Sequence, residues 1–265
     1  MEPSKSASNR SSSKKRFRSS SIEGGVFRHS LCESSYVLFA PQHYEPNYAY
    51  PLLVWLHSPG CDETQLLRIM PFVSLRNYVA VAPQGLLREN CEESRQEGVE
   101  ATGEKGYDWP ETAEDVDLVW TRVLDALQAA QGRYHISPQR VFIAGCDRGG
   151  TMALRIALEW PGYFAGAASV CGAFPQGFAP LSRLRQARHL SLLLTVAQFS
   201  QTYGPQQAAR DLRLLHAAGF NLLLRQYSCP HQLHEVMLAD LNRWIMSEIT
   251  GTDHFSSGSR RVAWG

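Results

Sequence analysis

The sequence predicts a doubly wound α/β domain on a mainly parallel sheet, and three observations carry that prediction. Strand-like and helix-like runs alternate from about residue 34 to residue 250, the rhythm of strands joined by crossover helices. Several strand runs are apolar almost throughout, as in YPLLVWLH at 50–57 and NYVAVAPQG at 77–85, which suits strands covered on both faces. The segment RVFIAGCDRGGTMALRIALEWP, 140–161, reads as a buried strand, a glycine-framed turn and an amphipathic helix.

The elements follow in order. Residues 1–25 hold six Lys/Arg against Glu2 and Glu23 among many serines; so few aliphatic residues cannot offset ordering entropy, and a disordered basic tail is expected. No apolar run of secretory-signal length follows it. SSYVLFAP (34–41) opens the sheet, and DETQLLRIMPFVSL supplies a helix between the next two strands. The polar stretch 86–111 reads as a long loop ending in Tyr107-Asp108-Trp109-Pro110. A helix at 112–131 takes Thr112 as its N-cap and sets Leu118, Val123, Leu124 and Leu127 on one stripe. After the 140–161 unit come strands in FAGAASVCG and HLSLLLTVA, a helix closed by Gly219, a strand in FNLLLRQYS and a last helix in HEVMLADLNRWIMSEI. The domain is expected to span 26–250, with 251–265 a loose C-terminal tail.

Composition narrows the function classes. A chain of 265 residues, 44% hydrophobic, buries a full core. A formal net charge of +1 gives no field that singles out nucleic acid or an anionic membrane, beyond weak contacts of the basic tail. No apolar run reaches membrane-spanning length. Six scattered cysteines without a C-x-x-C pair read as reduced thiols of a cytoplasmic protein. Nothing in the pattern calls for a cofactor or speaks to oligomeric state.

Chemistry gathers around the turn Gly145-Cys146-Asp147-Arg148-Gly149. Strand, crowded turn and helix are the context of a nucleophile elbow, in which small residues must flank a strained central residue. LLVWLHSPGCDE, RVFIAGCDRGGTMALRIAL and RQYSCPHQLHEVMLADLNRWI, in that order, resemble the oxyanion strand and loop, the elbow and the histidine loop of the α/β-hydrolase superfamily. Within it the chain is most similar to phospholipase/carboxylesterase-like and polyhydroxybutyrate-depolymerase-like esterases. The resemblance implies an α/β-hydrolase fold and carboxylester hydrolysis, with an ester-like small molecule as ligand. It puts the nucleophile position at Asp147, the base at His231 and one oxyanion N–H at Arg148. The other N–H falls on Pro59, which has none, leaving Gly60 as the substitute donor. His57, Ser58, Trp109 and Ser200 are then expected around the pocket, with Tyr107 and Trp109 either lining it or pinning the long loop.

This chain departs from that pattern at the reacting atoms. Serine attacks acyl carbon because a neutral histidine takes its proton, and Asp147 has no such proton. Beside His231 it is expected to form an ion pair. No acidic residue stands between Glu159 and Asp211, so the triad acid is missing and Ser200 is the group left to bond the imidazole. Asp62 or Asp108 could supply an acid from elsewhere. Three readings follow: an impaired ester hydrolase, a non-catalytic ligand-binding or scaffolding protein, and an Asp-nucleophile hydrolase acting at alkyl carbon. Against the last, GAFPQGFAPLSRLRQAR is too short for the cap domain such enzymes use. Cys146 reads as a buried hydrophobe rather than a nucleophile, and C-P-H-Q-L-H with Cys61 as a surface pair of histidines rather than a zinc site.

Overall fold

The computed structural model describes residues 26–31, 34–87 and 106–252. The basic tail expected at 1–25, residues 88–105 of the long loop, and 253–265 of the C-terminal tail lie outside the described residues.

Strands β1 (Val26–Leu31), β2 (Ser34–Phe39), β3 (Tyr50–Leu56) and β4 (Val79–Pro83) come first, with helix α1 (Gln65–Val73) between the last two. A two-residue ladder, β5 (Leu86–Leu87) with β6 (Tyr107–Asp108), closes the base of the long loop. Then follow α2 (Ala113–Arg133), β7 (Ile136–Cys146), α3 (Arg148–Glu159), β8 (Gly166–Val170), α4 (Leu184–Ala187), β9 (Ser191–Ala197), α5 (Pro205–Ala217), β10 (Asn221–Tyr227) and α6 (Glu235–Thr250). The main sheet runs β1-β2-β4-β3-β7-β8-β9-β10. β2 is antiparallel to both neighbours, and the other pairs are parallel.

The period of two along each strand sorts side chains into two cores. Leu52, Val54 and Leu56 of β3 and Val141 and Ile143 of β7 face α2 and α3. Leu53, Trp55, Phe142, Ala144 and Cys146 face α1 and α6. β3 is buried along its whole length, which explains its unbroken apolar run. On α6, Met237, Leu238, Leu241, Trp244 and Ile245 turn inward, each contributing about 2 kcal/mol of apolar burial.

Two departures from the sequence reading have simple causes. The buried stripe of α2 is Val116, Val119, Val123, Ala126, Leu127 and Ala130, and Leu118 points outward, 47% exposed. Small alanines let α2 approach the sheet, a packing choice that a search for large apolar residues passes over. β1 pairs with β2 residue for residue from Val26↔Phe39 to Leu31↔Ser34. Its sequence VFRHSL does not stand out as apolar, and it becomes a strand by pairing at the sheet edge.

Strand order reverses around β3, whose partners are β4 on one side and β7 on the other. Loops leaving the carboxyl ends of β3 and β7 therefore border one crevice, the switch point of an open α/β sheet. Close approach there demands glycine. A Cβ on Gly149 would strike the carbonyl of His57 and lie 2.5 Å from that of Leu56, and one on Gly145 would strike the carbonyl of Gly149. We expect Gly149→Ala to destabilise the protein by about 3 kcal/mol or more, measured by urea unfolding; an unchanged midpoint would show that the turn has room to spare.

Candidate active site

Asp147 sits at the tip of the turn between β7 and α3 with φ 53° and ψ −123°. An L-residue reaches this region only at a cost of about 1–3 kcal/mol, sustained by its surroundings. Here the Asp147 N–H donates to the Val170 carbonyl at 2.8 Å, and the Asp147 carbonyl accepts from Thr151 N–H at 3.0 Å. A Cβ on Gly172 would run into that same carbonyl. The strained backbone lifts the carboxylate out of the turn, with its side chain 37% exposed.

His231, on the loop between β10 and α6, brings Nε2 to 3.4 Å from Asp147 Oδ1. Among the described residues Asp147 is the sole carboxylate within ion-pair reach of this ring. On the other side, Nδ1 meets Ser200 Oγ at 2.8 Å and Thr202 Oγ1 at 3.3 Å. Ser200 Oγ also accepts the Tyr203 N–H at 2.9 Å, which fixes the hydroxyl. The loop after β9 thus offers the imidazole two neutral oxygens where a carboxylate would balance an imidazolium. Thr202 is a contact the sequence did not single out, since a threonine in a polar loop carries no signal of its own.

The loop after β3 presents few donors. Ser58 N–H donates to Gln65 Oε1 at 3.0 Å, Gly60 N–H to the Tyr107 carbonyl at 2.9 Å and Cys61 N–H to the Ser58 carbonyl at 3.1 Å. Pro59 has no N–H. Gly60, the expected substitute donor, is therefore already bonded, because β6 docks its backbone against the loop. Arg148, at the first turn of α3, keeps a backbone N–H that the helix does not use. Its guanidinium reaches back to Asp108 Oδ2 at 3.1 Å, and Asp108 Oδ1 accepts the Trp109 N–H at 2.8 Å.

His57 and Trp109 are fully buried, not on a pocket wall. Trp109 Nε1–H donates to the His57 carbonyl at 2.7 Å, and the two rings lie 4.7 Å apart. Of the two roles open to Trp109, the structure shows loop pinning. His57 Nε2 accepts the Gly85 N–H at 3.0 Å, so the ring is neutral with its proton on Nδ1, directed at the Ser58 carbonyl at 2.8 Å. Ser58 and Ser200 keep partial exposure.

With this geometry in view, comparison with known proteins is informative. A family model described as "Putative esterase" matches residues 30–190. The chain belongs to this esterase family. A curated relative, "Putative esterase NocK" of Nocardia uniformis subsp. tsuyamanensis, is 34% identical over 125 residues, 47% of this chain. The match spans 33% of that relative's length. Among solved structures, a carboxylesterase from Mesorhizobium loti aligns with a TM-score of 0.64 at 17% identity, covering 83% of this chain and 98% of that one. The Bacillus cereus carboxylesterase aligns at 0.61 and 15%, covering 82% and 95%. At such identities the likeness is one of fold, and it agrees with the α/β-hydrolase resemblance.

Other candidate groups of this esterase-family chain have partners of their own. Asp62 Oδ1 accepts from Thr64 N–H at 2.9 Å at the start of α1. Asp211 is buried in α5, where it accepts the Phe174 N–H at 3.3 Å. No group of three metal-ligating side chains forms among the described residues; His234 Nδ1 accepts the Val236 N–H at 3.3 Å as the cap of α6, and Cys61 Sγ lies 3.6 Å from Gln65 Nε2. No helix among the described residues is long and apolar enough to cross a membrane.

Burial sets the protonation of two groups. It pushes the Cys146 thiol up to about 12, so the thiolate is scarce at neutral pH. Iodoacetamide at pH 8 should leave Cys146 unmodified in the native protein while the part-exposed Cys61 and Cys229 react, read by peptide mass spectrometry; early alkylation of Cys146 would contradict its burial. Burial likewise pushes His57 below the usual histidine range, opposed by the Ser58 carbonyl and by Asp62, Glu63 and Asp108. A neutral form favoured by folding stabilises the protein above the ordinary histidine range, and that stability is lost as pH falls through it. Between pH 8 and pH 5 the native chain should lose more Tm than His57→Gln; parallel curves would remove His57 as a cause.

Proposed function

We propose that this esterase-family protein binds an ester-like small molecule and does not hydrolyse it by serine-type chemistry. The observation that carries the reading is the Asp147 carboxylate at the elbow tip, 3.4 Å from His231 Nε2. A hydroxyl there would hand its proton to the imidazole as it attacked; the carboxylate has none to give. Attack on an ester by Asp147 would form a mixed anhydride, a product more reactive than the substrate.

Two further features support the same conclusion. Behind His231 the hydroxyl of Ser200 accepts or donates a hydrogen bond at 2.8 Å but cannot offset charge on the ring. In front of it, the loop N–H groups of Ser58, Gly60 and Cys61 are bonded within the protein, and Pro59 has none to offer. Loss of a triad nucleophile costs on the order of a million-fold, and here the acid is wanting as well. Displacement at alkyl carbon is the competing chemistry for an elbow carboxylate. Between β8 and β9 the chain builds only the four-residue α4, which gives a leaving group little cover from water.

The native chain should neither turn over p-nitrophenyl esters above buffer nor react with a fluorophosphonate probe. Labelling at any residue would overturn the reading, and an alkyl adduct on Asp147 after incubation with epoxides would replace it with displacement chemistry. Asp147→Ser alone should stay slow, while Asp147→Ser with Ser200→Asp should be at least tenfold faster, because position 200 adjoins His231 Nδ1. Ordinary esterase rates in the single variant would refute the role given to the missing acid.

A further inference from the structure

The end of the sheet opposite the elbow holds a second crevice. β7 loses register there: β3 advances from Tyr50 to Leu52 while β7 advances from Ile136 to Val141, so residues 137–140 leave the ladder. An irregularity of this kind re-aims side chains. It carries Pro138 and Arg140 to the border of a cavity of about 640 Å³, a size that suits a small molecule. Phe164 just before β8, His189 just before β9, and Ile249 near the end of α6 complete the walls.

This cavity is bordered by charges of both signs that do not meet. Arg140 lines it with no hydrogen-bond or ion-pair partner among the described residues. Glu248 lines the same space. Its Oε2 accepts from Ser191 Oγ at 2.5 Å, and Ser191 Oγ accepts from Asn221 Nδ2 at 2.9 Å, which fixes the carboxylate. Its Oε1 has no partner among the described residues. Glu248 stands in the last turn of α6, where the carbonyl end of the helix adds partial negative charge. His189 keeps its ring to the wall, with Nδ1 at 2.8 Å from the Gln186 carbonyl and Nε2 at 3.3 Å from that of Phe164.

We propose that this cavity binds a zwitterion of the amino-acid type, its carboxylate on Arg140, its ammonium on Glu248 and an apolar side chain against Phe164 and Ile249. A guanidinium presents a planar fork of donors that matches a carboxylate. An ammonium brings three donors to a glutamate with one oxygen open. A ligand with a single charge would leave the opposite protein charge unanswered, so recognition needs both groups on one molecule. The site lies at the amino ends of β7, β8 and β9, whereas Asp147 follows the carboxyl end of β7. Its occupancy therefore does not depend on what the elbow does.

The test is calorimetric titration of the full chain with phenylalanine, phenethylamine and hydrocinnamate, which share one skeleton and carry both charges, the ammonium alone or the carboxylate alone. Phenylalanine should bind at least about tenfold more tightly than either analogue, the worth of one charge-assisted hydrogen bond. Arg140→Gln should lower phenylalanine affinity to that of phenethylamine and leave phenethylamine unchanged. Glu248→Gln should lower it to that of hydrocinnamate and leave hydrocinnamate unchanged. Both variants are checked for folding by circular dichroism, with Glu248→Asp, which draws the carboxylate back, in place of a glutamine variant that does not fold. Absence of saturable phenylalanine binding, an analogue that binds as tightly, or a folded variant that keeps the native affinity would each overturn the proposal.

Discussion

The site depends on one steric constraint, the near-contact of three backbone segments around the turn after β7. Gly149 lies against the carbonyls of Leu56 and His57, Gly145 against Gly149, and Gly172 against the carbonyl of Asp147. With no room for a Cβ at any of the three, the chain has one tight path, and Asp147 is forced to positive φ. The cost of that conformation is spread over packing that extends into both cores. Whatever side chain stands at position 147 is held out of the turn toward His231. The scaffold therefore presents a group without specifying its chemistry.

One short stretch joins the loop after β3 to the turn after β7. The β5–β6 ladder brings the Tyr107 carbonyl onto Gly60 N–H, and Trp109, two residues further on, clamps the His57 carbonyl from below. The same segment supplies Asp108, which draws the Arg148 side chain across the elbow. That stretch thus bonds the loop after β3 at Gly60, ties down the His57 backbone and pairs the Arg148 guanidinium. These contacts leave a carboxylate at the tip of the turn and the Gly60 N–H bonded within the protein.

Much of the architecture was legible because it rests on local pattern. The nearly unbroken apolar runs of β3 and β4 announce strands with both faces covered, Thr112 caps α2 by accepting from Asp115 N–H, and Gly219 takes the positive φ expected after α5. Leu118 and β1 escaped because tertiary packing decided them: alanines set the close approach of α2, and edge pairing made a strand of VFRHSL. At the site, Asp147, His231 and Ser200 were legible from motif order and from the missing acid. Thr202 was not, since a hydroxyl in a polar loop has many ordinary uses, and for Trp109 the sequence left pocket lining and loop pinning open.

The sequence by itself determined the order of elements, the crowded turn, the carboxylate at its tip and the want of an acid after β9. These are matters of residue type and short-range spacing, which a linear pattern records. The tertiary structure alone decided that Gly60 N–H is spent on Tyr107, that Arg148 answers to Asp108, and that Ser200 and Thr202 stand behind the imidazole. Hydrogen bonds at such a site join segments that are remote in the chain, and their partners are chosen by where the sheet brings the loop ends together.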